Sequence, residues 1–457
     1  MSIFEKILEI YRNYYLCIHC LGRMFSLLGT CTTNQERGNS LLLSMTLEYH
    51  RTYLNQDQEK ANSIENLKIL AENASFIPAQ YVLKKEGLES KKIVPSKICY
   101  LCHNIFSNLD KYVDRATNKL KNLEFKNLLV GTSLDSEIDN KEDIFKAEFK
   151  LLESESFKSH FNREVGKLIS DLLDKPPEFI NPDITIIFNL GYDSFKIDLL
   201  IRSLYIYGRY TKLLRGIPQT HWHCRKCMGN GCVLCNFTGK QYATSIEELI
   251  SPEFIKNSDS TGSKFHGAGR EDIDVRMLGE GRPFIIELIN PKIRSLDLKK
   301  IQKQVNKKNK KKVQIYELKF SNKLLVKKLK FNAENTRKIY KALVYSEKKF
   351  SKEIFERKVN QLKVNFENLK IQQKTPLRVN HRRANKVREK KVHKIEGKFI
   401  KSNLFEFIIE TQGGTYIKEL INGDSGRTKP SFAEIFENPL ICKKLDVLKI
   451  KNLIFPD

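Results

Sequence analysis

Gly267-Ala-Gly-Arg-Glu-Asp-Ile-Asp-Val-Arg-Met-Leu-Gly-Glu-Gly-Arg-Pro-Phe284 runs without interruption into Ile285-Ile-Glu-Leu-Ile289. The stretch reads as a charged, glycine-punctuated loop that feeds a buried strand. Its glycines, Gly267, Gly269, Gly279 and Gly281, allow close backbone approach, and Arg270, Arg276 and Arg282 flank the carboxylates Asp272 and Asp274. An Asp held among guanidiniums stays ionised and can serve as nucleophile or base, so the loop suits an anionic substrate. The residues alone nominate Asp272 and Asp274 without choosing. They also fit an exposed hairpin whose charges are merely solvated.

Outward from this loop, 457 residues are enough for two to four domains, each with its own core. Lys and Arg number 80 against 54 Asp and Glu, a net charge of +26, the sign and size that recruit phosphate backbones. Residues 301 to 400 hold 31 Lys/Arg and 8 Asp/Glu, so 31 − 8 = +23 of that excess lies just downstream of the loop. The lysine tip Lys307 to Lys312 by itself reads as a solvated run. The N-terminus has no cationic start followed by an unbroken apolar block, and no segment approaches the roughly 20 apolar residues of a membrane helix. The expectation is a soluble, cytoplasmic protein that meets no membrane, with its ten cysteines reduced or metal-bound. No phosphate-cradling glycine motif is present, so neither a nucleotide nor another organic cofactor is expected.

Cysteine spacing points to metal. Cys17-Ile-His-Cys20 and Cys99-Tyr-Leu-Cys102 are two Cys-x-x-Cys pairs separated by a long helical insertion, and together they make one tetrahedral site. Buried thiols or a redox pair are the alternatives, though a redox pair needs no second copy. Cys224-Arg-Lys-Cys227 and Cys232-Val-Leu-Cys235 are separated by only four residues, a compact zinc knuckle whose glycines let amides turn toward sulfur. Four cysteines also suit an iron–sulfur cluster, but nothing else points to electron transfer. One or two structural zinc ions are therefore expected. Cys31 and Cys442 are left as ordinary buried thiols.

Apolar periodicity places an amphipathic helix over residues 2–16, helical runs over 41–73 and after Cys102, and an α/β module over 126–215 with a strand at Ile184 to Leu190. Tyr207-Gly-Arg-Tyr-Thr-Lys, rich in aromatic and basic residues, could stack on bases and meet phosphate. Phe284 to Leu288 reads as a strand and Leu298 to Val305 as a helix. Val313 to Lys330 reads as a lysine-faced hairpin around Ser321-Asn322. Phe405 to Glu410 alternates as a strand before Gly413-Gly414-Thr415-Tyr416 turns into a helix.

Gly269-Arg-Glu-Asp272-Ile-Asp274-Val-Arg276, with Gly281-Arg-Pro-Phe284, resembles the signature of the archaeal and eukaryotic tRNA pseudouridine(54/55) synthases, in the archaeal form. In that wider group the nucleophilic Asp follows an Arg by two positions and precedes an apolar residue by three. Arg270, Asp272 and Val275 reproduce this, so the resemblance favours Asp272. Thr336-Arg-Lys-Ile-Tyr340 resembles a second motif and implies that Tyr340 packs against the target base; Gly414-Thr-Tyr416-Ile-Lys418 implies a second such tyrosine, Tyr416, and makes Lys418 the ion-pair partner that keeps Asp272 ionised. Thr375-Pro-Leu-Arg378 through Ala384 and the basic run after it resemble an RNA-facing segment, and Gly423-Asp-Ser-Gly-Arg427-Thr closes the pattern. Arg270, Arg276, Arg282 and Arg427 are the remaining substrate-binding candidates.

The implied architecture is α+β and multidomain. Residues 1–125 form a helical region with a four-cysteine zinc site, 126–220 a THUMP-like RNA-binding module, and 221–245 a zinc knuckle; 246–457 form a pseudouridine synthase domain on a mixed, mostly antiparallel sheet, with a basic insertion over about 301–335. The implied activity is isomerisation of uridine 55, with uridine 54 as a further target, in the T arm of tRNA by a monomer that flips the base out. The opposing reading is a non-catalytic, zinc-stabilised tRNA chaperone or adaptor.

Overall fold

Along Ile184–Leu190 buried side chains alternate with half-buried ones over the whole length, the period-two pattern of a strand with one face on a core. In the computed structural model, which describes residues 2–55, 60–88, 97–331 and 336–451, this strand is the centre of a three-stranded sheet. Strands β1 (Leu128–Leu134), β2 (Ile184–Leu190) and β3 (Phe195–Ile201) lie in that order, β1 parallel and β3 antiparallel to β2. Helix Phe157–Leu173, capped by Ser156, packs on β1. N-terminal to the sheet run helices Ile3–Asn13, Ile18–Met24, Asn34–Leu54, Lys60–Lys68, Ile77–Lys85 and Asp110–Leu120. Ser2 and Thr33 open the first and third of these with capping boxes to Glu5 and Glu36. One hydrophobic cluster runs from Ile7 and Leu21 through Phe161 to Phe188, so the helical region and the small sheet share a core. Residues 1–202 accordingly form one compact unit and 203–457 a second.

The second unit is built on a ten-stranded sheet. Its strands are β4 (Leu204–Lys212), β5 (Gly262–Gly267), β6 (Arg276–Ile289), β7 (Val313–Ser321), β8 (Arg337–Ser346), β9 (Lys370–Lys374), β10 (Val387–Lys401), β11 (Leu404–Gln412), β12 (Thr428–Lys429) and β13 (Leu440–Lys451). The order is β12-β9-β10-β11-β8-β13-β6-β4-β7, with β5 also on β6. Every described pairing is antiparallel except β13 with β6, so the sheet is mixed and mostly antiparallel, as the resemblance implies. That parallel seam is short: Asp446 and Val447 lie opposite Arg276 and Met277. It joins two half-sheets with separate cores. One core packs helices Lys352–Phe366 and Ile417–Asn422 against β8, β10 and β11; the other packs helices Ile246–Ser258 and Leu298–Lys308 against β4 and β6. The loop opened by Gly267 enters β6 at this seam.

Three local readings change. The chain divides between Arg202 and Ser203 rather than at residue 220, because β4 pairs with β6 and β7 and so belongs to the large sheet. Val313 to Lys330 is a strand followed by helix Lys323–Phe331, not a hairpin. Leu325, Val326 and Leu329 have helical spacing and pack with Tyr205, Ala268 and Ile285, while Asn322 accepts from the Leu325 amide at 3.0 Å. Cys31 is exposed, in a left-handed turn, and Cys442 is half-buried. Among the described residues no helix is long and apolar enough to cross a membrane.

Candidate active site

The loop between β5 and β6 is held from beneath by an acid that faces inward. Glu271 accepts from Arg282 Nε at 2.8 Å and from the Tyr210 hydroxyl at 3.0 and 3.1 Å, all three side chains being buried. Arg282 also donates to the Ala268 carbonyl at 2.8 Å, and Gln219 joins the Tyr210 hydroxyl to the Gly269 carbonyl. Lys212 donates to the carbonyls of Asp272 and Ile273 at 3.3 and 2.8 Å. Burial, foremost, holds the Lys212 ammonium down to about 8. With Glu271 fixed inward, Asp272 beside it lines a cleft of about 410 Å³, and Gly269 at φ +76° makes the turn that permits this.

Asp272 meets two cations. Arg378 Nη2 lies 3.0 Å from Asp272 Oδ2, and Lys418 Nζ lies 3.8 Å from it. The shorter contacts of Lys418 go to Asp274, 2.8 and 2.7 Å to its two oxygens. Partial burial alone would raise the Asp274 carboxyl, but the Lys418 hydrogen bonds outweigh it and hold the group below its ordinary range. Arg378 is itself fixed by buried Glu419, with Nε to Oε1 at 2.6 Å. Tyr340 of β8 lines the cleft floor and is 8% exposed; burial pushes its phenol up to about 12. Tyr416 caps helix Ile417–Asn422 and is pinned through its backbone by Gln373 at 2.9 Å in both directions, while Arg383 donates to its hydroxyl at 3.0 Å. A neighbouring cavity of about 270 Å³ is walled by Arg270, whose guanidinium lies 5.6 Å from the Trp222 ring.

The structure thus brings Asp272, Lys418, Tyr340, Tyr416, Arg270 and Arg282 around one cleft. Arg282 is there as a buried support, with its guanidinium committed to Glu271. Arg276 and Arg427 do not line the cleft. Arg276 pairs with Asp446 at 2.8 and 2.9 Å across the β13–β6 seam, where Arg215 joins them, and Arg427 donates to the Thr375 carbonyl at 2.6 Å and to Asn385 at 3.0 Å. Sequence reasoning passed over Glu271, Arg378, Glu419 and Lys338. Glu271 sits inside the quoted signature, and the segment holding Arg378 reads as facing RNA rather than Asp272.

The two cysteine clusters come together as their spacing implies. In each, the four sulfur atoms lie within 4.8 Å of one another. Sulfur–sulfur separations of 3.6 Å for Cys17–Cys102 and 3.7 to 3.9 Å in the knuckle match the edge, about 3.8 Å, of a tetrahedron with metal–sulfur bonds of about 2.3 Å. They are far too long for disulfides. Amides of Gly231, Cys232 and Gly239 donate to knuckle sulfurs at 3.2 to 3.3 Å, and the Cys17 amide donates to Cys99 at 3.3 Å, as expected for thiolates held around a cation.

Two family models match the chain, one described as "Pus10, C-terminal" over residues 205–451 and one as "Pus10 THUMP domain, archaeal" over residues 112–189. The large sheet is therefore that of a pseudouridine synthase, an isomerase, and β1 with nearly all of β2 falls within the span matched to the THUMP domain. Curated proteins named "tRNA pseudouridine synthase Pus10" match nearly end to end. That of Methanocaldococcus jannaschii is 42% identical over 97% of this chain and 94% of its own, that of Methanopyrus kandleri 39% over 97% and 98%, and that of Pyrococcus furiosus 34% over 98% of both. The chain belongs to the Pus10 family of tRNA pseudouridine synthases.

Proposed function

We propose that this cleft isomerises uridine 55, and uridine 54 as a further target, in the T arm of tRNA, with Asp272 as nucleophile. The observation that carries the assignment of the acid is the split between the carboxylates. Glu271 is buried under the loop and Asp274 is bound at both oxygens by Lys418, whereas Asp272 lines the cleft together with Tyr340 and has Arg378 beside it. The cleft admits one base, so the target uridine has to leave its stack, at a cost of a few kcal/mol. Asp272 then attacks the nucleotide and the glycosidic bond breaks; the uracil turns and is rejoined through carbon five, and the bond to Asp272 breaks to return the free carboxylate. Tyr340 supplies a flat apolar floor with a protonated hydroxyl, and Tyr416 a second ring at the rim. Arg378 and Lys418 hold the carboxylate in its charged, oriented form.

Structural zinc in both cysteine clusters goes with this reading, because in each the four sulfurs converge at separations that suit one tetrahedral ion and accept backbone amides. Metal analysis of the purified protein decides between no, one and two ions per chain.

The test of the acid is a pair of variants on a T-arm transcript, with pseudouridine mapped by position. Asp272→Ala should abolish product at both positions while tRNA binding persists; Asp274→Ala should retain most of the rate. Product from Asp272→Ala at the normal rate would sink the assignment and leave a tRNA-binding adaptor.

A further inference from the structure

Strand β8 sends two titratable side chains into the cleft, Tyr340 and, two residues earlier on the same face, Lys338. Lys338 is 6% exposed, and its ammonium forms no ion pair among the described residues. The acids near it are committed elsewhere, Glu271 to Arg282 and Tyr210, and Asp272 to Arg378 and Lys418. It reaches the backbone of the nucleophile loop, since a Cβ built on Gly269 would lie 3.5 Å from Lys338 Nζ. Facing it are Arg282 of β6, Lys390 of β10, and Glu271 and Asp272 of the loop; Thr411 and Ile450, its partners on β11 and β13, carry no charge.

We propose that Lys338 is the catalytic base that takes the carbon-five proton of the rotated uracil. Once the bond from carbon five to the ribose carbon has formed, the ring carries a tetrahedral C5 still bearing its hydrogen. The C5–H bond breaks, its proton passes to Lys338 Nζ, and its electron pair restores the C5–C6 double bond. N1, which kept the electron pair of the broken glycosidic bond, takes a proton from water, and the Lys338 ammonium returns one to water, so no proton is gained or lost overall. Burial first, then the charges of Arg282 and Lys390, hold Lys338 down to about 7, where a lysine is partly unprotonated at working pH. Tyr340, the other cleft-facing group of the strand, stays a phenol, pushed up to about 12.

The proposal rests on the cleft reading above, and its test is a single-turnover assay of tritium release from tRNA carrying carbon-five-tritiated uridine. Lys338→Met should lower the rate by about 10² to 10⁴-fold with tRNA affinity unchanged. Lys338→Arg should lower it similarly, and ethylamine should restore part of the Lys338→Met rate. The wild-type rate should rise with pH to a plateau above about 7, a measurement independent of whether either variant folds. A wild-type rate in Lys338→Arg, or a wild-type profile that falls as pH rises through this range, would show that the side chain supplies charge rather than takes a proton. A normal rate in Lys338→Met overturns the proposal alone if Asp272→Ala is inactive, and the cleft reading with it if Asp272→Ala is active.

Discussion

Asp272 and Asp274 stand two residues apart on one loop; Lys418, expected at Asp272, contacts Asp274 more closely, and Arg378 contacts Asp272. If the shorter contact governs the nucleophile, Arg378→Met should cost about 10²-fold in kcat and Lys418→Met less, both with tRNA affinity nearly unchanged; the reverse ranking in single-turnover assays would return the main role to Lys418. Glu271 answers to a different energy. Glu271→Gln leaves the buried Arg282 guanidinium without its counter-charge, and should lower stability by about 3 kcal/mol, read by denaturant unfolding of the purified chain. None of these pairings was legible locally. Arg378 is brought to Asp272 by the packing of β9, β12 and helix Ile417–Asn422, whereas Asp272 itself stands out in the sequence because its neighbours at positions 270 and 275 complete the family-like pattern.

Strand and helix junctions carry their own consequences. Gly281 sits at φ +67°, and a Cβ there would meet the Tyr210 carbonyl at 2.6 Å and the Tyr316 hydroxyl at 2.2 Å. Gly281→Ala should therefore cost about 3 kcal/mol and shift the β6–β4 register, seen as a lowered melting temperature and impaired activity together. In helix Phe157–Leu173, burial and then the charges of Arg23 and Arg163 hold the His160 imidazole down to about 2. Its folded pKa lies below its unfolded value of about 6.5, so the unfolded chain binds the extra proton and stability, full above that pH, falls by about 1.4 kcal/mol per unit as the medium is acidified. His160→Phe should flatten this slope between pH 6 and 5 in denaturant titrations. Elements with one strong period were readable from the sequence, as Ile184–Leu190 and Leu298–Lys308 show. Lys323–Phe331 was not, because leucines and lysines in close succession satisfy both periods over so short a run and only its packing against Tyr205 and Ile285 decides between them.

Across the whole chain, charge and metal act through distance. The lysines near the tip of helix Leu298–Lys308 and the turn after it are exposed on the second unit, and replacing Lys307, Lys310 and Lys311 by Gln should reduce the salt dependence of tRNA binding by about two counterions, with kcat unchanged, in titrations at several salt concentrations. An ion in the first cysteine cluster would tie Cys20 to Cys99 across about 80 residues, whereas one in the knuckle would close only a few. Cys99→Ser should thus lower the melting temperature more than Cys232→Ser, and a chelator should reproduce the order. The sequence by itself determined the family, the basic excess, the pairing of the cysteines into two clusters and the loop that carries Asp272, because each is written in short spacings or in net composition that need no partner. Only the tertiary structure decided that residues 204–212 join the large sheet, that Arg276 pairs with Asp446 and Arg427 with Thr375 and Asn385 away from the cleft, and that Lys338 lines the cleft with no ion pair among the described residues. Those facts depend on which distant segments meet, and on how much water each charge loses when they do.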